Sequence, residues 1–285
     1  MSTPLPRSFL YVPAAKPDLF AKAAAGPADA VILDLEDAVP VAEKARARGD
    51  VRLWLLDLEG DDERAEQWVR INAESVAEDL DAVVHRALRG VFLAKCSVAG
   101  LAEVGQSLDE LERDRSLTPG SIGVIGLVES AEAWLSLAEM ARHPRLRTFG
   151  VGEVDLLGDL RMMRTERSAA ALDMLRSQIV VHCAASGLQA PVAPTSTAFR
   201  DLDAFRETTH QMLALGFRSR TAIHPSQVPV IHEALAPSSE ELAVAHDVVH
   251  RFAAAEGSVT TDAQGRLIDP AVVREAQETL SRAAQ

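Results

Sequence analysis

Two acidic residues, Glu129 and Asp155, have the type and position that chemistry at a metal ion requires. Glu129 directly follows an apolar run at residues 122–128, and Asp155 lies just beyond another at residues 148–152. Two carboxylates at one rim suit a hard cation such as Mg2+, which prefers oxygen ligands and often takes only one or two carboxylates. Both acids also stand where helices should begin, and negative charge is favoured there. The sequence is therefore consistent with two ligands of one metal ion and also with two helix caps.

A third candidate, Arg70, lies within an apolar run at residues 68–72. A guanidinium at the end of such a run must find an anion, and its planar fork can bind a carboxylate through two hydrogen bonds. That anion could be a substrate carboxylate. It could equally be Asp34 or Glu36, which end an earlier apolar run, and Arg70 would then form a structural ion pair.

Eight short β-like runs must position these side chains, because they alternate with longer helical patterns along the chain. Such alternation predicts parallel strands joined by crossover helices, and we expect a (β/α)8 TIM barrel whose functional groups gather at the carboxyl ends of the strands. The alternative is a doubly wound open sheet, which the absence of G-x-G-x-x-G and G-x-x-x-x-G-K-[ST] motifs disfavours. The predicted strands are residues 8–12, 30–35, 68–72, 90–95, 122–128, 148–152, 189–192 and 220–223.

The chain of 285 residues is longer than such a barrel needs, which is about 250 residues. Beyond Leu235 the pattern predicts a helix to about Ala255, a hairpin or loop over residues 258–267, and a last helix from Pro270. We therefore expect a barrel over residues 1–235 and a helical and hairpin extension over residues 236–285.

Composition restricts the class of protein. The chain is 47% hydrophobic and 25% charged, which is typical of a folded globular protein. Its formal charge of -13 argues against nucleic-acid and anionic-membrane partners. Two cysteines, Cys96 and Cys183, are too few for a disulfide scaffold or a four-cysteine zinc site, and no run of 18 apolar residues occurs. A cytoplasmic protein without a membrane span is expected.

Ordered motifs along nearly the whole chain resemble those of the citrate lyase β-subunit-like family, which includes malyl-CoA and citramalyl-CoA lyases. The motifs are RSFLYVP at residues 7–13, LDLEDAV at 33–39, VRIN at 69–72, LVES at 127–130, GEVDL at 152–156, GLQA at 187–190 and AIHPSQ at 222–227. The resemblance implies a barrel enzyme that cleaves or forms the bond between a 2-oxo acid and the acetyl group of a thioester.

The resemblance also implies roles for single residues. It assigns Glu129 and Asp155 to Mg2+ and Arg70 to the 2-oxo acid or the thioester enolate. Backbone amides around Gly152 and Glu153, at a predicted helix start, are candidates for the carboxylate of the 2-oxo acid. We further expect Glu36 and Asp37 to lie behind these groups and support them.

The late motif GRLID at residues 265–269 matches a family motif whose aspartate reaches the active site of a neighbouring subunit. The resemblance therefore implies that Asp269 is the acid or base at the acetyl carbon and that the protein is a homotrimer. Asp269 also directly precedes Pro270, so it is expected as the N-cap of the last helix, and both roles can hold at once.

The expected activity is that of a Mg2+-dependent lyase acting on a citryl-, malyl- or citramalyl-CoA type thioester, with oxaloacetate, glyoxylate or pyruvate as the 2-oxo acid. One alternative is a metal-dependent 2-oxo-acid aldolase without a thioester, and another is a carrier-dependent subunit of a citrate lyase complex. Departures from the family pattern, such as Ser219-Arg220 and Pro191-Val192-Ala193-Pro194, surround the thioester side. Arg7, Lys16 and Arg220 are candidates for contacts with CoA phosphates.

Overall fold

A computed structural model describes residues 4–58 and 65–283. Eight parallel strands follow one another around a closed barrel, in the order β1 to β8. The strands are β1 Ser8–Pro13, β2 Ala30–Asp34, β3 Glu66–Ile71, β4 Leu88–Leu93, β5 Gly123–Val128, β6 Leu146–Val151, β7 Val192–Ala193 and β8 Ser219–Ala222. The predicted (β/α)8 barrel is confirmed.

Helices follow the strands, as crossover connections between parallel strands require. They are α1 Phe20–Ala24, α2 Lys44–Asp57, α3 Val76–Val83, α4 Val98–Asp114, α5 Ala131–Leu135, α6 Leu137–Met140, α7 Glu153–Asp159, α8 Ala169–Ala185, α9 Leu202–Leu215, α10 Gln227–Leu235, α11 Ser239–Ala254 and α12 Pro270–Ala283. No helix within residues 4–58 and 65–283 is long and apolar enough to cross a bilayer.

Aromatic rings fill the barrel interior below the site. Phe9, Trp68 and Phe92 meet edge to face, with ring centroids 5.3 to 5.7 Å apart. A side chain at Gly90 would collide with the Trp68 ring, so only glycine fits on β4 beside this indole. The packed rings fill the barrel below the carboxyl ends of the strands, where functional groups of such barrels gather.

β7 has only two residues instead of the four predicted, and it pairs with β6 only through Val192 and Gly150. Pro191 and Pro194 flank it and lack the N–H that a longer ladder would use. The barrel wall is therefore short at β7.

The chain divides into two compact units, residues 1–231 and residues 232–285, with the boundary inside α10. In the second unit α11 begins with a capping box, in which Ser238 Oγ accepts from Glu241 N and Glu241 Oε2 accepts from Ser238 N. A two-stranded hairpin, β9 Thr260–Thr261 and β10 Leu267–Ile268, precedes α12. The hydrophobic core of this second unit consists of Ala245, Val248, Ile268, Val273 and Ala276. The role expected of this unit in a neighbouring subunit stays a prediction.

Candidate active site

A cavity of about 660 Å3 opens at the carboxyl ends of the strands in the first unit. Among its lining residues are six of the seven barrel residues predicted for the site: Asp37, Arg70, Glu129, Gly152, Glu153 and Asp155. Glu36 is not part of the lining, but it contacts Arg70 and Lys95. The topology thus brings together side chains from positions far apart in the chain.

Arg70 is the penultimate residue of β3 and lies beside Asp34, which ends β2, and Glu36, which follows it. Its Nε and Nη2 donate to the two carboxylate oxygens of Asp34 at 2.7 and 2.6 Å, and its Nη1 lies 2.9 Å from Glu36 Oε2. Burial alone would lower the pKa of Arg70, but the hydrogen bonds and charge of Asp34 outweigh it and raise that pKa. The structural ion pair left open by the sequence is therefore formed. Arg70 still lines the cavity, so a ligand can reach it.

Glu129 lies just after β5 and is only 7% exposed. Its Oε2 accepts a hydrogen bond from the backbone N–H of Lys95 at 2.5 Å. Burial raises the pKa of Glu129 to about 7; the Lys95 N–H opposes that rise, and the charges of Glu36 and Asp155 add to it. A carboxylate that is this costly to ionise favours a cation as neighbour.

The backbone around Glu129 is adapted to its side chain. Lys95 has a φ of 46°, in the left-handed region, and this conformation directs its N–H to Glu129. A Cβ at Gly152 would collide with Glu129 Cγ and Oε1, so the close approach of α7 to this carboxylate requires glycine. Lys95 is thus a site residue through its backbone, and the only sequence signal for it is a lysine after a buried strand.

The helix-cap alternative fails for Glu129. Ser130 is the N-cap of α5, and its Oγ accepts from Ala133 N at 3.1 Å. Asp155 lies in the first turn of α7, whose N-cap is Gly152, and it makes no capping hydrogen bond. The negative charge of Asp155 interacts favourably with the dipole of α7. Asp155 also lines the cavity that Glu129 lines.

Glu153 is held by two arginines that the sequence did not reveal. Arg176 donates from Nε and Nη2 to both Glu153 oxygens at 2.6 and 2.9 Å, and Arg164 Nη2 lies 2.6 Å from Oε2. The Glu153 carboxylate is therefore occupied, and only its backbone remains for a ligand. The N–H of Gly152 already donates to Val128 O at 3.1 Å. Binding of a substrate carboxylate by the backbone amides around Gly152 and Glu153 stays a prediction.

Asp269 belongs to the second unit and is the N-cap of α12. Its Oδ1 accepts from the N–H groups of Ala271 and Val272 at 2.8 and 3.0 Å. Asp269 therefore caps α12, as predicted, through its Oδ1 oxygen. The role of Asp269 at a neighbouring active site stays a prediction.

Of the cations suggested for CoA phosphates, Arg7 lies away from the cavity. It precedes β1 and pairs with Asp29, at the amino-terminal end of the barrel. Lys16 follows β1 and therefore lies at the end of the barrel where the cavity opens, but it is not among the lining residues. Arg220 lines the cavity but is only 3% exposed.

The donor set for a metal is small. Within residues 4–58 and 65–283, no cluster of three or more His, Cys, Asp or Glu side chains is arranged as a metal site. Glu129 and Asp155 are two carboxylates within electrostatic reach of each other. Oxygen ligands in this number fit Mg2+, which keeps waters or substrate oxygens in its remaining positions, and do not fit a structural zinc site.

A closed parallel barrel with acids and an arginine gathered at the carboxyl ends of its strands belongs to the (β/α)8 class of enzymes. The family model described as HpcH/HpaI aldolase/citrate lyase matches residues 7–225. The chain therefore belongs to the HpcH/HpaI aldolase/citrate lyase family and is an enzyme of the lyase and aldolase class.

Relatives of known sequence and structure agree with this assignment. The citrate lyase subunit beta-like protein of Mycobacterium tuberculosis (strain ATCC 25618 / H37Rv) is 34% identical over 97% of this chain and 95% of its own. A (3S)-malyl-CoA thioesterase of Cereibacter sphaeroides (strain KD131 / KCTC 12085) is 31% identical over 97% of this chain and 94% of its own. The crystal structure of CitE from Mycobacterium tuberculosis, in complex with magnesium, acetoacetate and coenzyme A, has a TM-score of 0.78 and 32% identity, covering 98% of each chain.

Proposed function

We propose that this enzyme is a Mg2+-dependent lyase that cleaves a 3-hydroxy-3-carboxy acyl thioester into an acetyl thioester and a 2-oxo acid. The observation that carries the proposal is the pair Glu129 and Asp155 beside Arg70 in one cavity, with the Glu129 carboxylate buried among other acids. The complex of the similar CitE protein with magnesium, acetoacetate and coenzyme A supports it.

Glu129 and Asp155 would hold the Mg2+. When bound, the ion would polarise the hydroxyl and carboxylate oxygens of the substrate and orient the bond that breaks. Lys95 keeps the Glu129 carboxylate in place through its N–H, and Gly152 leaves the space for it. Glu36 and Asp37 support this arrangement, because both lie near the Arg70 guanidinium, at 2.9 and 3.8 Å.

Arg70 would stabilise negative charge on the thioester. Cleavage breaks the carbon–carbon bond and leaves its electron pair on the acetyl carbon as an enolate, while the hydroxyl loses its proton to water and becomes the carbonyl of the 2-oxo acid. A guanidinium fixed by Asp34 needs no reorientation to face the developing charge. Asp269 of a neighbouring subunit would then give a proton to the acetyl carbon.

The assay incubates the purified protein and Mg2+ with malyl-CoA, citramalyl-CoA and citryl-CoA, and follows acetyl-CoA, free CoA and the 2-oxo acid by chromatography. Matched release of acetyl-CoA and a 2-oxo acid is expected from one of them. The relative named as a thioesterase makes hydrolysis a second candidate, and free CoA without a 2-oxo acid would indicate it. Without either product, a carrier-bound substrate or condensation of pyruvate with an aldehyde is tested next.

The shared site and the homotrimer are tested together. Glu129→Gln and Asp269→Asn are each expected to be inactive alone, because each lacks one half of the proposed site. Mixed oligomers of the two variants should regain activity, since some interfaces then combine an intact Glu129 with an intact Asp269. Light scattering measures the oligomeric mass. A mixture that stays inactive although its subunits exchange would contradict the shared site.

A further inference from the structure

Among residues 4–58 and 65–283, one buried arginine of the cavity wall has no acid to pair with. Arg220 on β8 is 3% exposed, and its Nε and Nη1 donate to the carbonyls of Pro194 and Phe205 at 3.1 and 2.9 Å. Nη1 also donates to the hydroxyl of Thr209. All three acceptors are neutral, and no carboxylate of the described residues lies within ion-pair distance of this guanidinium.

Other buried arginines of the described chain differ in this respect. Arg70 binds Asp34, Arg145 binds Glu112, and Arg176 binds Glu153, each at 2.7 Å or less. Burial without such a partner lowers the pKa of Arg220 to about 9; the charge of Glu153 opposes this effect and that of Arg176 adds to it. The Phe205 ring, whose centroid lies 3.8 Å from the guanidinium carbon, offsets part of the cost of burying this charge, and an anion at Arg220 would offset more of it.

The same end of the cavity holds a second polar atom without a partner. Thr195 directly follows Pro194 and lines the cavity, and its Oγ1 is buried with no hydrogen-bond partner among the described residues. Among the described residues, the Nη2 group of Arg220 likewise has no hydrogen-bond acceptor. Two donors at the end of β7 are therefore available to one oxyanion.

The surrounding charges match a single negative charge. Arg164, Arg176 and Arg220 line this part of the cavity, which we call the basic recess. Glu153 and Asp173 each pair with Arg176, so three positive charges face two negative ones and one positive charge remains. With one net positive charge, this recess suits a carboxylate monoanion better than a phosphate dianion.

We propose that Arg220, assisted by the Thr195 hydroxyl, binds a second carboxylate of the substrate and so selects dicarboxylic 2-oxo acids over monocarboxylic ones. As a statement about substrate, this inference rests on the proposed lyase function. As a statement about binding, it does not, because the recess needs neither Mg2+ nor turnover.

The binding test uses metal-free protein in EDTA, titrated calorimetrically with succinate, acetate and inorganic phosphate. Succinate and acetate should each bind through one carboxylate, and both should bind more tightly than phosphate. Arg220→Met should weaken succinate binding roughly tenfold or more, as expected for a lost charged hydrogen bond. Thr195→Val should weaken it roughly tenfold, as expected when a hydroxyl no longer donates to a charged carboxylate. Arg7→Met, at the other end of the barrel, is the matched control and should bind like the wild type.

Two results would overturn the proposal: succinate binding that Arg220→Met and Thr195→Val both leave unchanged, or a preference for phosphate that Arg220→Met removes. The second result would make the recess a phosphate site. Thermal unfolding checks that each variant is folded, and Arg220→Lys, which keeps the charge, should retain part of the affinity. Failure of the thioester assay would leave this binding result standing, so the two proposals fail separately.

Discussion

Replacing Glu129 with glutamine should stabilise the metal-free protein at pH 8. Burial raises the pKa of this carboxyl from its ordinary value of 4.5 to about 7, so ionising it costs more in the folded than in the unfolded protein. This difference amounts to at most about 3 kcal/mol at pH 8, and a neutral amide removes it. Because Glu129 Oε2 only accepts from Lys95 N, an amide oxygen can take its place.

The stability that Glu129→Gln gains over the wild type should depend on pH. The unfolded carboxyl ionises near pH 4.5 and the folded one near pH 7, so the wild type loses stability as pH rises between these values and changes little above pH 7. The advantage of the variant should therefore grow from pH 5 to pH 7 and then level off. Calorimetry in EDTA should show a midpoint about 2–6 °C higher at pH 8, by the usual relation of stability to midpoint.

Glu112→Gln is the matched control with the opposite sign. Glu112 is also buried, at 1% exposure, but Arg145 and the N–H groups of Ile122 and Gly120 outweigh burial and lower its pKa. Replacing this carboxylate by an amide should lower the free energy of unfolding by about 1–3 kcal/mol at pH 8. If Glu129→Gln melts below the wild type at pH 8 without metal, the electrostatic account of this carboxyl is refuted.

Three further changes test the site. Adding Mg2+ at ten times its dissociation constant should stabilise the wild type by about 1.4 kcal/mol, and Asp155→Asn should lose both this shift in thermal unfolding and turnover. Gly152→Ala should place a methyl group against Glu129 and abolish the Mg2+ shift at a cost of about 1–3 kcal/mol in stability; a normal Mg2+ shift would contradict the packing. Asp269→Asn should keep the α12 cap, since asparagine is as good an N-cap, and should leave the unfolding midpoint unchanged while turnover falls. Equal turnover in this variant would exclude Asp269 as the proton donor.

Much of the barrel could be predicted from sequence because several of its strands are continuous apolar runs, as is typical of buried parallel strands. The prediction was weakest where backbone geometry decides. β7 is shorter than its apolar run because prolines flank it, and β4 ends at Leu93 because Lys95 turns into the left-handed region.

The site was predictable in its residue types but less so in its pairings. Position at strand ends identified Glu129, Asp155 and Arg70, whereas the partner of Arg70 depends on Asp34, 36 residues away. Glu153 could not be separated from substrate-binding residues by sequence, since its partners Arg164 and Arg176 come from a loop and from α8. No periodicity indicates which helix face will meet a given strand end.

The distribution of charge around the cavity would allow a chain with a net charge of -13 to bind the anionic substrate proposed for it. Acids from the ends of β2, β5 and β6 lie on one side, and the basic recess at β6 to β8 lies on the other. If the acidic side holds a cation and the recess holds a carboxylate, a dicarboxylic substrate has one orientation in which both sides are neutralised. A monocarboxylic acid would leave Arg220 buried and unpaired, and sites that lose a built-in polar partner discriminate strongly against the shorter ligand. In the condensation direction, the ratio of kcat/KM for oxaloacetate to that for pyruvate should therefore fall at least about tenfold in Arg220→Met, because that variant no longer carries the charge that the shorter acid leaves unpaired.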